Sequence, residues 1–285
     1  MVRQSIDRRT AIVAAGGTAI LLAVALSPQL LGGEVFDAVA GLESADPGWL
    51  WVAAFAFLAA YLCSASAWRA ATGLADRVDA TARYGVGSLV NSIAPAHAGD
   101  VVRLALFARA APDKRLRTAG KALAGVGVAH VAMTGTLLLA TVFPPALAGF
   151  ALVPFLGRVA TWVAAATAAR LLAATAVAAA LGVPSPFIAA LLILPAIDLA
   201  GLLPLTPGNI GMKSGAIAIA LQAQGVDLTT ALSAGIAFHA VETAVGLVFG
   251  SAGALYLSHV RVPRWAVAGA SACVAAAFVG STVFV

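Results

Sequence analysis

Charge is the scarcest thing in this chain. Twelve acidic and 17 basic side chains are spread over 285 residues, 10% of the total. Soluble domains carry about 25% charged residues, and here 61% of residues are apolar with a mean hydropathy of +0.98. A water-soluble fold is excluded. Polar stretches long enough for a separate soluble domain are lacking too, so the chain reads as a single integral membrane domain over residues 1–285. Cysteine is almost absent. Cys63 and Cys273 lie in apolar runs outside any C-x-x-C or metal-ligand spacing, which excludes a disulfide framework and gives redox chemistry no support. No G-x-S-x-G elbow, Cys–His arrangement, H-E-x-x-H pair or P-loop occurs. Neither enzymatic catalysis nor a cofactor, a bound metal or an ATPase of its own is expected. The formal charge of +5 and pI near 9.8 do not point to nucleic acid, because the basic residues sit in short loops beside apolar runs rather than among surface aromatics.

A membrane-spanning helix needs about 20 apolar residues, and several runs qualify. Arg3, Arg8 and Arg9 precede the run Thr10 to Leu31, which also has the features of a signal peptide and is read as a retained first span. The loop after it holds Glu34, Asp37, Glu43 and Asp46 without Lys or Arg, whereas Arg69, Arg77 and Arg83 follow the run Gly48 to Trp68. This asymmetry predicts a multi-pass protein of the cell membrane with a cytoplasmic N-terminus. Trp49, Trp51 and Trp68 fall near the ends of the second run, where tryptophan anchors at the headgroup level. Further crossings are expected at Ala122 to Phe143, Arg158 to Leu181, Thr229 to Leu257 and Trp265 to Val285, with a short or distorted crossing over Ala146 to Gly157. The fold class is therefore all-α and polytopic, with about six to eight spanning helices.

Two stretches depart from this pattern in the same way. Asn91 to Arg103 and Pro204 to Ser214 place prolines, glycines and a charge between apolar arms. Irregular backbone at membrane depth persists only where protein or a polar cavity satisfies its N–H and C=O groups. Basic residues flank 84–111 on both sides, so this segment is expected to be a re-entrant hairpin opening to the cytoplasm, and 187–224 a second one opening to the outside. Opposed hairpins, one in each half (1–143 and 146–285), are the layout of an inverted repeat with its site between the breaks.

The second arm of each hairpin begins just past its break, so helix N-termini with their free N–H groups face the interior and favour an anion. Arg103 and Lys213 each lie about one turn into those arms and need an anionic partner. A phosphate is one candidate; Asp100, Asp198 and Glu242 are others. The i,i+3 pair Asp100–Arg103 is the structural alternative. His239 and Glu242, also i,i+3 within an apolar run, suit a proton relay or plain hydrogen-bonded helix packing. Three carboxylates with His97 and His239 do not form a metal-binding motif. The spacings Gly211-x-x-x-Gly215 and Gly246-x-x-x-Gly250 predict close helix approach.

Asn91 to Arg103 resembles the segment N-x-x-x-P-x-R-x-G-E/D-x-x-R of the lysylphosphatidylglycerol synthase transmembrane, or flippase-like, family, and Pro204 to Gly215 resembles that family's second signature, lPxtPGGlGvrE. Pro95, Gly99, Asp100, Arg103, Pro204, Pro207, Gly208 and Gly211 fit. His97 stands where the family usually has Arg, Asn209 replaces a Gly, Lys213 corresponds to Arg, and Ser214 replaces a Glu. Lipid aminoacylation, which a separate aminoacyltransferase domain performs in some members, is not expected of this chain. The resemblance implies a carrier that moves an amphiphilic lipid, anionic phospholipid or polyprenyl-phosphate-linked, between leaflets. Its headgroup site would comprise Asn91, Pro95, His97, Gly99, Asp100, Arg103, Pro204, Pro207, Gly208, Asn209, Gly211 and Lys213, with Asp198, His239 and Glu242 balancing charge or taking protons. Two other readings stay open: a non-transporting membrane subunit that partners a lipid- or cell-envelope-modifying enzyme, and a proton-coupled carrier of a small solute.

Overall fold

Capping residues set the helix boundaries in the computed structural model, which describes residues 39–93, 98–110, 116–201 and 210–258. Helix α1 (Pro47–Thr72) begins where the Asp46 carboxylate accepts the Gly48 N–H and a proline fills the first turn, and it stops at Gly73, whose φ of 71° suits glycine. Helix α2 (Arg77–Ile93) starts earlier than the apolar run from Tyr84 suggests. Asp76 caps the N–H groups of Val78 and Asp79, and Arg83 forks onto Asp79 at 2.7 and 2.9 Å one turn later, so a charged first half joins the helix. Helix α3 (Ala98–Ala110) follows the first break, and α4 (Leu116–Val142) leads to Pro144-Pro145.

The distorted return expected near Ala146 to Gly157 takes the form of a 3₁₀ helix, Pro144–Leu156. It folds back along α4, with Gly149 against Thr136 and Val153 packed with Met133 and Val163. Helices α5 (Arg158–Ala180), α6 (Pro186–Gly201), α7 (Ile210–Gln222) and α8 (Leu228–Leu257) complete the described chain. Asp227 caps α8 through the Thr230 N–H at 2.9 Å, a bond that holds this exposed carboxyl below the usual carboxylate range. Among the described residues α1, α4, α5 and α8 are long and apolar enough to cross a membrane, α6 is a shorter apolar helix, and no strand occurs. The protein is an all-α polytopic membrane protein. The runs Thr10 to Leu31 and Trp265 to Val285 lie outside the described residues.

Small side chains bring the long helices together. Ala53, Ala56, Ala60 and Ala67 of α1 and Ala173, Ala174, Ala176, Ala178 and Ala180 of α5 are all buried. Such residues allow the close backbone approach that drives packing in lipid. The Asp46 N–H donates to the Ala180 carbonyl at 2.9 Å, so the start of α1 meets the end of α5 and the two run antiparallel. Gly41, just ahead of α1, faces Ser233 in the second turn of α8, while Gly253 near the far end of α8 faces Ala82 of α2. The α2–α3 hairpin therefore opens at the end where α1 finishes, and the α6–α7 hairpin at the end where α1 begins. The two hairpins enter the bundle from opposite ends.

The glycine seams fall only partly where the spacing places them. On α8, a Cβ at Gly250 would stand 2.5 Å from Leu89 Cβ and 2.6 Å from the Gly85 carbonyl of α2, and one at Gly246 2.9 Å from the Tyr61 hydroxyl. Gly215, by contrast, has open space around it, and Gly235 makes the close approach to α7, at 2.6 Å from the Ser214 carbonyl. The seam at Gly250 has backbone on its far side and cannot yield cheaply. Gly250→Ala is expected to lower stability by about 1–3 kcal/mol through overpacking, read as a fall in detergent-phase melting temperature. An unchanged melting temperature would mean that α2 and α8 are not in contact there. Trp68 also departs from its expected place: it is not an interfacial anchor but is buried against Phe107, ring centroids 5.0 Å apart, while Trp49 and Trp51 stay exposed.

Candidate functional site

Each hairpin carries a cation one turn past its break, and the structure supplies a carboxylate for each. Arg103 Nη1 donates to Asp100 Oδ1 at 2.7 Å, and Lys213 Nζ to Glu242 Oε2 at 2.9 Å. A third pair was not foreseen: Arg170, midway along α5, donates to Asp198 Oδ1 of α6 at 2.9 Å. Ionisable groups at membrane depth face a cavity or one another, and here they do both.

One cavity of about 320 Å³ is lined by Arg103, Asp100, His130, Arg170 and Glu242 together with Tyr61, Tyr84 and Trp68. A second, of about 210 Å³, shares Tyr61, Tyr84, Arg103 and Glu242 and adds Ser88, Asn91, Ser92, Lys213, His239 and Thr243. The two spaces meet at Arg103 and Glu242, between the first hairpin, the second hairpin and α8. Among the described residues the site is polar on its cation-bearing walls and aromatic along α1 and α2.

Local structure fixes the Arg103 guanidinium on several sides. Its Cζ stands 4.2 Å from the Tyr84 ring centroid and 5.9 Å from that of Trp68, and Nη2 donates to Ser88 Oγ at 3.3 Å. The residue is 8% exposed and its Nε has no hydrogen-bond partner. Room for it exists because Gly87 carries no side chain where Arg103 crosses α2. Asn91 spans the break from the end of α2. Its Oδ1 accepts the Gly99 N–H at 2.7 Å and its Nδ2 donates to Asp100 at 3.2 Å. One of the N–H groups at the start of α3 is thus satisfied by the protein itself, as an N-cap would do, and Asn91 braces the hairpin as well as lining the cavity. Gly99 packs on the Gly87 carbonyl too closely for any side chain.

The residues expected to balance charge divide into two groups. His239 and Glu242 come together at the smaller cavity: His239 Nδ1 lies 4.0 Å from Glu242 Oε2 and Nε2 is 3.3 Å from the Thr243 hydroxyl. Asp198 belongs elsewhere. It stands behind Arg170 and His130, accepting from Thr134 Oγ1 at 2.6 Å and lying 3.2 Å from His130 Nε2. Among the described residues no group of His, Cys, Asp and Glu could hold a metal ion. Pro95, His97, Pro204, Pro207, Gly208 and Asn209 lie outside the described residues, and Gly211 is described only as backbone of α7.

Sequence reading passed over Arg170, His130, Tyr61 and Tyr84. Arg170 had a signal: an arginine midway through a 23-residue apolar helix is an intramembrane charge and by default a site residue. Tyr61 and Tyr84 had none, because aromatic residues in apolar helices are ordinary.

No curated protein and no solved structure matches the chain. Residues 150–250, which hold Arg170, Asp198, Lys213, His239 and Glu242, match the family described as lysylphosphatidylglycerol synthase TM region. The matched span includes the second Pro/Gly-broken segment and not the first, and it supports the resemblance to that family.

Proposed function

We propose that the protein is a carrier, not an enzyme, that moves an anionic amphiphilic lipid between the leaflets of the cell membrane. One observation carries this reading: three cations, Arg103, Arg170 and Lys213, gather with aromatic rings around cavities between two hairpins that open to opposite ends of the bundle. A phosphate or diphosphate headgroup would take donors from Arg103 and Lys213 while its acyl or isoprenyl chains stay in the bilayer. Asp100, Asp198 and Glu242 would hold the cations in place between lipids. The breaks, with Pro95, His97, Gly99, Pro204, Pro207, Gly208, Asn209 and Gly211, would shape the headgroup path. The opposed hairpins fit an inverted repeat, and the distribution of Lys and Arg puts the N-terminus in the cytoplasm.

Reconstitution tests this. Proteoliposomes holding the purified chain and a headgroup-labelled phosphatidylglycerol are expected to exchange the label between leaflets faster than empty liposomes, with Arg103→Ala slowing the exchange. Folded protein that leaves the label in its original leaflet would favour the subunit reading instead, with the cavities serving a partner enzyme.

A further inference from the structure

We propose that a proton is the second ligand of this site, passed by His239 to Glu242 when a lipid phosphate draws Lys213 away; this rests on the carrier reading above. The argument begins from charge balance. Each cation at the two cavities is already matched by one carboxylate: Arg103 by Asp100, Arg170 by Asp198, Lys213 by Glu242. An anionic headgroup that engages Lys213 therefore leaves Glu242 without its cation. An uncompensated carboxylate at membrane depth is strongly unfavourable.

Among the described residues no other side chain can replace Lys213. The groups around Glu242 are Tyr61 of α1, whose hydroxyl donates to the Glu242 backbone carbonyl at 3.3 Å, Tyr84 of α2, Asp100 and Arg103 of α3, His130 of α4, Arg170 of α5, and His239 one turn back on α8 itself. The tyrosines offer hydroxyls and no cation, the two arginines are held by their own carboxylates, and His130 lies against Asp198. His239 is different. It is 7% exposed, it lines the smaller cavity, and its Nδ1 has no hydrogen-bond partner while pointing along the helix face toward Glu242. A buried imidazole nitrogen left unpartnered 4.0 Å from a carboxylate oxygen is placed to deliver a proton after a small side-chain movement.

The step balances. A proton from the aqueous phase charges the imidazole, the imidazolium passes it from Nδ1 to Glu242 Oε2, and the histidine is neutral again. Lys213 keeps its three protons and exchanges a carboxylate oxygen for a phosphate oxygen. One anion and one proton are taken together, so the net charge of the site is the same before and after binding, and release reverses the sequence.

Binding and transport of short-chain phosphatidylglycerol between pH 6 and 8 test this on the full chain. Where one proton is bound with each lipid, the Kd is expected to tighten by up to about tenfold for each pH unit lowered. Glu242→Gln, which cannot take the proton, is expected to bind at pH 8 as tightly as the unaltered protein does at pH 6 and to show no slope. Downhill lipid movement in proteoliposomes with a trapped pH dye is expected to carry protons along. Phosphatidylethanolamine brings its own ammonium and is expected to bind without a pH slope. If removal of Lys213's partner prevents folding of Glu242→Gln, His239→Gln decides: proton-coupled transport is expected to fall at least tenfold while equilibrium binding keeps its slope, and an unchanged rate overturns the relay. Phosphatidylglycerol transport that is independent of pH and moves no protons overturns the proton proposal but leaves the carrier. Folded protein that binds no phosphatidylglycerol at any pH overturns both.

Discussion

Arg103→Ala is expected to weaken binding of an anionic phospholipid by about 10–100-fold, the equivalent of one or two charge-assisted hydrogen bonds, and Asp100→Asn is expected to have the opposite sign. The guanidinium is pinned by Asp100, Ser88 and the Tyr84 face, so its orientation is set before a ligand arrives. Loss of the whole side chain removes both charge and fork. Arg103→Lys keeps the charge without the planar pair of donors and should fall between. Asp100→Asn keeps Arg103 and removes the carboxylate that competes with a phosphate for it, so binding should hold or tighten. Melting temperature must be followed beside binding, because Arg103→Ala also removes the 2.7 Å ion pair between Arg103 and Asp100. If both substitutions weaken binding alike in folded protein, the pair is a structural clip and not an anion site.

Asp198→Ala is expected to show the largest loss of stability, about 3–5 kcal/mol, the usual result of stranding one member of a buried ion pair. Asp198 receives Arg170, His130 and Thr134 together, joining α4, α5 and α6 through one carboxylate that is 15% exposed. The same logic makes Arg170→Ala costly, and the double variant Arg170→Ala/Asp198→Ala less damaging than the sum of the two, with a coupling of roughly 0.5–3 kcal/mol. Chemical denaturation in mild detergent measures all three. A loss below about 1 kcal/mol for Asp198→Ala would show that water reaches the pair and screens it.

The elements that sequence reading located are those set by local rules. Runs of about 20 apolar residues gave α1, α4, α5 and α8, and proline and glycine within apolar arms marked both hairpins. The requirement that a cation near a helix N-terminus find a partner pointed to Asp100 and Glu242 among its candidates. What escaped depends on which helix faces which. Arg170 and Asp198 are 28 residues apart on different helices, and nothing in spacing joins them. Two of the four Gly-x-x-x-Gly residues, Gly246 and Gly250, form a seam, yet Gly215 faces open space while the unremarked Gly235 and Gly253 touch neighbouring backbone. Trp68 lies at the end of its run, as an anchor would, but the position of α3 turns that end into core. Asn91 reads as a ligand contact because only the folded hairpin brings Gly99 within its reach.

The ion pairs also tie the two hairpins to the bundle unequally. In the first hairpin the bonds of Asn91 to Gly99 and Asp100 and of Arg103 to Asp100 and Ser88 lie within α2 and α3, and its contact with α8 runs along Gly246, Gly250 and Gly253. The second hairpin is fastened outward through both arms, Asp198 to α4 and α5, and Lys213 to α8. Mechanically, one is held by apolar packing, on the glycine track of α8 and through Phe107 on Trp68 of α1, and the other is a bracket bolted by ion pairs and hydrogen bonds to three helices. A hairpin held by apolar packing can slide without stranding a charge, whereas one held by ion pairs moves only if a carboxylate and its cation part together or each finds a new partner.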